Sequence, residues 1–300
     1  MRLHRFAFSS MGCPCEIQLE AQDAALARRA FAAARSEVER LDDKYSHYRS
    51  DSWLALACAG AGDAHAIDVD AETANLLDFA ATLHAQSSGL FDITAAPLTR
   101  LWDGHNNRIP APDEIAAARA LVGWERIDWR RPQLRLPVAG MRLDFGGIVK
   151  EYAADRAADC CRAAGVAHGV IDLGGDLAVV GAHHDGHPWL AGIKLPSNPG
   201  VPCANIELAR GGLATSGDYE RVLVIDGKRY SHIVDPRSGW PIESFASVSV
   251  IADSCLVAGA ASTLAMLLGA GEGAAYLEGL GLPHLCIDQA GRTSGSIARA

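Results

Sequence analysis

The sequence has no long hydrophobic run and no excess of positive charge, and both absences narrow the kind of protein it encodes. Its most apolar stretch, 257–270, is interrupted by Ser262 and Thr263 and is shorter than the roughly 18 residues that cross a membrane. Lys and Arg number 27 against 36 Asp and Glu, so the net charge is −9 and the surface repels phosphate backbones and anionic lipid. We therefore expect neither a membrane span nor a nucleic-acid partner.

Aromatic residues are scarce, at 6%, and no two cysteines stand in a C-x-x-C pair. With 49% hydrophobic and 21% charged residues, the composition is still that of a folded protein and not of a disordered chain. The first ten residues contain no apolar segment of signal-peptide length, which predicts a cytoplasmic protein. The eight cysteines are then expected to be reduced thiols, and the pair Cys13 and Cys15 to have a structural role.

Several familiar catalytic signatures are missing. The chain contains no G-x-x-x-x-G-K-[ST], no H-E-x-x-H and no G-x-S-x-G, and the glycines of 269–273 lack the G-x-G-x-x-G spacing. These absences disfavour a P-loop nucleotidase, a zinc protease, a serine hydrolase and a Rossmann dehydrogenase. The histidine-rich run 183–187 could hold a metal, but the Asp-Gly at its centre favours a hairpin tip.

Hydrophobic periodicity predicts helices and strands in irregular alternation. The predicted helices are 24–41, 71–87, 113–121, 150–165, 254–269 and 272–280. The predicted strands are 16–20, 170–173, 177–181, 189–193, 205–208, 221–225 and 247–252. Turn signals such as Asp226-Gly227 join successive strands directly, so the pattern predicts an α+β fold with largely antiparallel or mixed sheets and packed helices. Because no linker-like segment interrupts the chain, we expect a single domain over 1–300, with two lobes as an open alternative.

Four polar segments are too rich in Gly, Asp, Thr and Ser to be turn chemistry alone. In the segment 143–152 a strand ends in Gly146-Gly147 and a helix begins with Lys150 in its first turn. Glycine lets a backbone approach a ligand closely and a helix N-terminus offers free N–H groups, so this segment suits an anion. The other three are 88–98, 171–176, and the pair of runs 214–221 and 230–239.

Together these segments resemble the ApbE family of FAD:protein FMN transferases, from Met11 to about Leu268. The resemblance is carried by Gly89-x-Phe91-Asp92-Ile93-Thr94-x-x-Pro97-Leu98 with Trp102, Asp144-Phe145-Gly146-Gly147-Ile148-x-Lys150, Leu173-Gly174-Gly175-Asp176, Thr215-Ser216-Gly217-Asp218-Tyr219 and Ser231-His232-Ile233-x-Asp235-Pro236-x-x-Gly239. It implies an ApbE-like α+β fold with a flavin cleft. It also implies that FAD is bound, that a divalent cation, usually magnesium, assists, and that FMN passes through a phosphoester to a Thr of an acceptor flavoprotein as AMP leaves.

The resemblance assigns eleven residues to the site. His232 would stand beside the reacting phosphate, where an imidazole, whose ordinary pKa lies near neutrality, can take the proton of the attacking Thr hydroxyl. Gly147, through its carbonyl, and Thr263, through its hydroxyl, would be metal ligands. The residues expected to contact FAD are Met11, Tyr48, Leu90, Phe91, Asp92, Asp144, Lys150 and Ile233.

One departure from the family pattern concerns the metal. One helical turn before Thr263, where the family has an Asp metal ligand, this chain has Gly259. Two smaller departures are Cys58, where the family often has an Asn facing the flavin, and Glu151, where it often has Gly after the Lys. The missing carboxylate implies a weakened magnesium site, because magnesium is normally held by one or two carboxylates. It leaves open a non-catalytic FAD-binding protein and an FAD pyrophosphatase. Gly259→Asp is then expected to tighten magnesium binding and to stabilise the helix slightly.

Overall fold

The structure, a computed structural model, describes residues 1–102, 108–195, 198–218 and 222–298. The helices in these ranges are α1 (Ala24–Tyr45), α2 (Trp53–Ala59), α3 (Ala71–Gln86), α4 (Ala96–Thr99), α5 (Pro112–Arg119), α6 (Val149–Ala163) and α7 (Cys255–Leu280), with short 3₁₀ turns at Arg100–Trp102 and Trp124–Arg126. The strands are β1 (Arg2–Ser10), β2 (Cys13–Ala21), β3 (Ile67–Asp68), β4 (Asp128–Arg130), β5 (Gln133–Arg135), β6 (His168–Leu173), β7 (Asp176–Gly181), β8 (Trp189–Leu195), β9 (Asn198–Leu208), β10 (Gly212–Gly217), β11 (Val222–Ile225), β12 (Lys228–Ser231), β13 (Val234–Asp235), β14 (Trp240–Pro241), β15 (Phe245–Ala252), β16 (His284–Asp288) and β17 (Thr293–Ser294).

One eight-stranded sheet organises the protein, in the order β1-β2-β6-β7-β10-β15-β16-β17. Every neighbouring pair in it is antiparallel. Four smaller sheets pair β3, β5 and β4, β8 with β9, β11 with β12, and β13 with β14. The α+β prediction with largely antiparallel sheets is confirmed.

Three long helices bury their apolar faces against the main sheet and each other. Helix α1 packs on α6, α6 packs on β7 and α7, and α7 packs on β10 and β15. The buried faces meet in one core that includes Ile17, Leu41, Ile171, Val248 and Leu264, none of which is exposed to solvent. Such side chains each contribute about 1.5–3 kcal/mol through apolar burial, so the core fixes the ends of these elements where the cleft described below opens.

Helix α7 is broken at Gly269, whose φ of 85° and ψ of 173° lie outside the helical region. The break separates two helical pieces, as the separate predictions at 254–269 and 272–280 anticipated. Among the described residues α7 is the one helix long and apolar enough to cross a membrane, but 56% of its apolar window is buried inside the protein. Packing on two strands of the main sheet gives it the environment of a core helix.

The prediction of a hairpin tip at 183–187 is corrected by the structure, while the predicted reduced cysteines are confirmed. The run 183–187 forms a turn closed by the His183 N–H donating to the His187 carbonyl, at 2.9 Å. The turn is not a hairpin tip, because it joins β7 to β8 and these strands belong to different sheets. The rings of His183 and His184 contact Glu20, with Nδ1 to carboxylate oxygen distances of 2.8 and 2.9 Å. All eight cysteines are free thiols.

The first turn of α3 is joined to α1 by charged groups. Glu72 lies 2.7 Å from Arg40 Nη2 and 3.0 Å from Lys44 Nζ. Burial disfavours ionisation of Glu72, but the hydrogen bonds from Arg40 and Lys44 outweigh it and lower its pKa from 4.5 to about 2. A carboxyl whose pKa is depressed on folding stabilises the protein above its unfolded pKa, and that contribution is lost as the pH falls toward the folded value.

We expect Glu72→Gln to lower the free energy of unfolding by about 1–3 kcal/mol at pH 7, because the neutral amide forfeits both charged partners. The difference from the unsubstituted protein should shrink as the pH falls from about 4.5 toward 2. Urea unfolding at a series of pH values measures it. An equal loss at pH 7 and pH 3 would contradict the assigned cause.

Candidate active site

A cleft of about 2200 Å³ opens at the ends of the main-sheet strands and of helices α1 and α6. It exceeds the roughly 300–1,000 Å³ of an ordinary small-molecule pocket, which suits an extended ligand such as a dinucleotide. All eleven residues singled out in the sequence line it: Met11, Tyr48, Leu90, Phe91, Asp92, Asp144, Gly147, Lys150, His232, Ile233 and Thr263. The structure thus brings together residues that lie between positions 11 and 263 of the sequence, while their individual roles stay predictions.

Two tight turns form one wall of the cleft. Met11 and Gly12, with φ of 52° and 73°, make the two-residue turn between β1 and β2, and this double positive φ is typical of a type I′ hairpin. Asp42 holds that turn, since its Oδ2 accepts hydrogen bonds from the Met11 N–H at 2.6 Å and the Ser10 hydroxyl at 2.9 Å. A Cβ on Gly174, in the β6–β7 turn, would lie 2.8 Å from Cys13 Cβ, so only glycine allows the two turns to meet.

The segment from Asp144 to Lys150 carries the backbone into α6. Asp144 Oδ1 accepts the Gly146 N–H at 2.7 Å and lies 3.4 Å from His47 Nδ1, and the Asp144 N–H donates to the Ile93 carbonyl at 2.7 Å. These contacts fix the bend that leaves Gly147 at the start of the helix. The Val149 N–H donates to the Phe145 carbonyl at 2.9 Å. The next two N–H groups of the first turn have no partner within a helix, so this end of α6 is suited to an anion.

Lys150 supplies a positive charge at that helix end. Its Nζ lies 2.8 Å from Asp176 Oδ2, and the Asp176 Oδ1 accepts the Thr215 N–H at 3.1 Å. Asp176 is only 2% exposed, and burial raises its pKa above the ordinary value despite Lys150. The ion pair holds the ammonium at the cleft wall, where an entering phosphate would meet it.

Hydroxyl groups from β10 and α7 form a further part of the cleft wall. Ser216 Oγ lies 2.9 Å from Thr263 Oγ1 and 2.8 Å from Ser262 Oγ. The Ser262 hydroxyl also donates to the Gly259 carbonyl at 2.9 Å. Strand β10 therefore fixes the hydroxyl of Thr263 at the cleft surface.

Glu151 has a buried carboxyl group that sequence reasoning did not assign to the site. It lines the cleft, is 7% exposed, and its Oε2 has no hydrogen-bond partner. Burial, and next the negative charge of Asp176, raise its pKa to about 8. Its side chain fills the space beside Gly259, where an added Cβ would lie 2.5 Å from Glu151 Cγ. The prediction that Gly259→Asp stabilises the helix is therefore wrong, because the position has no room for a side chain.

Asp92 and Tyr48 line the cleft, but neither presents a buried side chain to a ligand. The Asp92 Oδ1 accepts from the Thr94 N–H at 2.8 Å and hydroxyl at 2.7 Å, and its Oδ2 accepts the Trp124 N–H at 3.0 Å. With 4% of this side chain exposed, the carboxylate holds the 92–94 turn and the backbone faces the cleft. Tyr48 is 71% exposed at the rim, with its ring centroid 4.0 Å from that of His47.

His232 follows β12 and lines the cleft half-buried, next to Ile233, whose N–H donates to the Ser231 hydroxyl at 3.0 Å. The motif 214–221 is described only in part. Thr215 and Ser216 lie on β10 as stated, and Asp218 accepts a hydrogen bond from Gln289 at 2.7 Å. Tyr219, Glu220 and Arg221, which belong to the sequence motif and the predicted strand 221–225, lie outside the described residues.

The fold and the cleft define an α+β protein with a dinucleotide-sized cleft that is lined by a lysine, a histidine and a group of oxygen donors. Comparison with known proteins makes the assignment specific: the chain belongs to the ApbE family, whose sequence model matches residues 11–285.

Individual relatives agree. The chain is 31% identical to an FAD:protein FMN transferase of Klebsiella pneumoniae over 92% of this chain and 86% of that protein. It is also 31% identical to one of Vibrio cholerae, over 83% and 76%. Among solved structures, the ApbE protein of Thermotoga maritima matches with a TM-score of 0.90 and 27% identity, over 98% of this chain and 97% of that one. The apo flavinyl transferase ApbE of Pseudomonas stutzeri matches with 0.86 and 32%, over 98% and 95%.

Proposed function

We propose that this protein is an FAD:protein FMN transferase, which binds FAD, transfers its FMN through a phosphoester to a Thr hydroxyl of an acceptor flavoprotein, and releases AMP. The observation that carries the proposal is that one cleft holds Lys150, the N-terminus of α6, the Thr263 hydroxyl and His232. Family membership and the names of the relatives support the same reaction.

The ligand's pyrophosphate would lie at the start of α6. Lys150 offers a point charge to phosphate oxygens, and the first-turn N–H groups add hydrogen bonds. The hydrogen bond from the Gly146 N–H to Asp144 fixes the backbone of this turn. Gly146 and Gly147 have no side chains there, so a phosphate can approach the backbone closely. In phosphoryl transfer most of the acceleration comes from such positioning and from charge stabilisation.

The chain's oxygen donors also fit a hard divalent cation such as magnesium. Gly147 would contribute its carbonyl and Thr263 its hydroxyl, and the unpartnered Glu151 Oε2 shows that this region holds a carboxylate oxygen in need of a partner. Bound there, the cation would neutralise charge on the pyrophosphate.

His232 would accept the proton of the acceptor's Thr hydroxyl. The freed oxygen forms a bond to the phosphorus of the FMN half, the bond from that phosphorus to the bridging oxygen breaks, and AMP carries that oxygen away. Lys150 holds the phosphate oxygens in line for this displacement and balances the charge that leaves with AMP.

The two alternative functions, a non-catalytic FAD-binding protein and an FAD pyrophosphatase, would use the same cleft. The non-catalytic binder was suggested by the missing carboxylate at Gly259, but Glu151 brings a carboxylate to that side of α7, which removes the reason for preferring it. An FAD pyrophosphatase would use water in place of the Thr hydroxyl, and the products distinguish it.

The test is to incubate the protein with FAD, magnesium and an acceptor domain carrying the target Thr, and to measure acceptor mass. We expect an increase of one FMN, which disappears when the target Thr is replaced by Ala. Free FMN and AMP without acceptor modification would identify a pyrophosphatase. Bound but unchanged FAD would identify a binding protein.

Lys150→Met should weaken FAD binding by about 5- to 150-fold, equivalent to the 1–3 kcal/mol of a charge-assisted phosphate contact. Methionine keeps the apolar stem and removes only the charge. Riboflavin, which has no phosphate, is the matched control and should bind both proteins equally. Titration by flavin fluorescence measures both ligands, and an equal loss for riboflavin would show that the substitution disturbs the fold of the cleft.

A further inference from the structure

Gly259 lies on the side of α7 that faces α6, and Glu151 occupies the space a side chain would fill. A Cβ built on Gly259 lies 2.5 Å from Glu151 Cγ, 2.8 Å from Cδ and 2.9 Å from Oε1. All three distances are too short for ordinary packing. Glu151 and Gly259 are therefore a matched pair, in which the glycine admits the glutamate.

The packing of α6 on α7 explains why these two residues meet. Asp155, one turn beyond Glu151 on α6, accepts the N–H groups of Cys255 and Leu256 at 2.9 Å each. Gly259 stands one turn beyond Cys255 on α7. The two helices run antiparallel, with Asp155 of α6 beside Cys255 of α7. The residue one turn before Asp155, Glu151, therefore lies opposite the residue one turn after Cys255, Gly259.

Glu151 lines the cleft with one of its two carboxyl oxygens unpartnered. It is 7% exposed, it lines the cleft with Gly147 and Thr263, and its Oε2 makes no hydrogen bond. A buried, unpaired carboxylate oxygen is costly, and native proteins rarely keep one without a ligand or a functional reason.

The other aspartates near this part of the cleft are less suited than Glu151 to bind a cation. Asp176 is committed to Lys150 and to the Thr215 N–H. Asp253, near the start of α7, is 96% exposed. Asp172 accepts the Gly175 N–H at 2.7 Å within the β6–β7 turn.

We propose that Glu151 is the carboxylate ligand of a divalent cation in this cleft, acting with the Gly147 carbonyl and the Thr263 hydroxyl, and that Gly259 exists to make room for it. The inference rests on the proposed function for the nature of the ligand, a pyrophosphate with magnesium or manganese. It relocates the carboxylate from α7, where the family resemblance implies it, to α6. The oxygen set remains that of a hard cation.

The test is Mn²⁺ binding, followed by the electron paramagnetic resonance of the free ion, with and without saturating FAD and with no acceptor present. We expect one site per chain in the unsubstituted protein and an affinity lower by roughly tenfold or more in Glu151→Gln, since even outer partners of metal sites contribute that much. Asp172→Asn, which removes a carboxylate elsewhere in the cleft, should bind Mn²⁺ like the unsubstituted protein. FAD affinity in the presence of a chelator should be the same in all three.

An exchange variant tests the geometry. Glu151→Gly combined with Gly259→Asp should regain most of the Mn²⁺ affinity, whereas Gly259→Asp alone should melt at a lower temperature because its Cβ meets Glu151. Unchanged Mn²⁺ affinity in Glu151→Gln, or no Mn²⁺ site in the unsubstituted protein, overturns the assignment whatever the transfer assay gives. If Glu151→Gln fails to bind FAD because its cleft is disturbed, the double variant Glu151→Gly with Gly259→Asp decides. A failure of that variant to bind Mn²⁺ then overturns the assignment of Glu151. Mn²⁺ binding that depends on Glu151, without FMN transfer to an acceptor, would leave the metal site standing and refute the transferase.

Discussion

His232→Ala is expected to lower the rate of FMN transfer by about 10²–10⁴, the range for loss of a general base, while FAD binds as before. The imidazole lines the cleft but is only half-buried, so its removal leaves no large cavity. Single-turnover transfer to the acceptor measures the rate, and flavin fluorescence measures binding. Added imidazole should restore part of the lost rate, because it can enter the space left by the side chain.

The control is His187→Ala, a histidine exposed at the rim of the same cleft, which should transfer at the unsubstituted rate. A pH profile separates catalysis from structure: the unsubstituted rate should fall at acidic pH as the base is protonated, and the His232→Ala rate should lack that step. A lower melting temperature with weaker FAD binding, and no rescue by imidazole, would make His232 a structural residue.

Phe145→Ala is expected to lower the free energy of unfolding by about 3–5 kcal/mol, the usual cost of emptying a buried aromatic site. Phe145 is 1% exposed, and its ring lies 5.4 Å from that of Tyr45 in an edge-on arrangement. It anchors the stretch between Asp144 and Gly147, so FAD binding should weaken in the same variant. Guanidinium unfolding and FAD titration provide the two measurements.

Phe145→Leu serves as the matched variant, since it keeps most of the apolar volume and should lose much less stability. FAD affinity should follow the same order, with the leucine variant closer to the unsubstituted protein. A loss below about 1 kcal/mol for Phe145→Ala would mean that the segment is held by its hydrogen bonds and not by this ring.

Elements with strong local patterns could be predicted from the sequence, and those made by their neighbours could not. Helix α1 and strand β6 carry clear hydrophobic periodicity and were predicted within a few residues. Strand β10, with the sequence Gly-Leu-Ala-Thr-Ser-Gly, has little intrinsic strand preference, and its composition predicts a polar site segment instead. It is a strand because β7 and β15 pair with it on either side, which is a tertiary effect.

The site shows the same division. The family resemblance identified eleven of the residues that line the cleft, and eight of them lie in the motifs quoted above. The pairing of Glu151 with Gly259 was out of reach, although both residues were noticed as departures. Their relation depends on the register between α6 and α7. That register is set by Asp155 of α6, which accepts the N–H groups at the start of α7, and no local sequence pattern encodes it. The structure turns two separate anomalies into one compensated exchange.

The break of α7 at Gly269 bears on how freely this protein can vary. A continuous helix of this length would carry Leu280 straight away from Thr263. At Gly269 the backbone leaves helical geometry, in a conformation that essentially only glycine adopts. The second piece instead turns back onto the first, where a Cβ on Gly273 would overlap the Ala265 carbonyl group. The outer half of the helix thus supports the half that carries Thr263, and glycine is required twice, at Gly269 for its φ and at Gly273 for space.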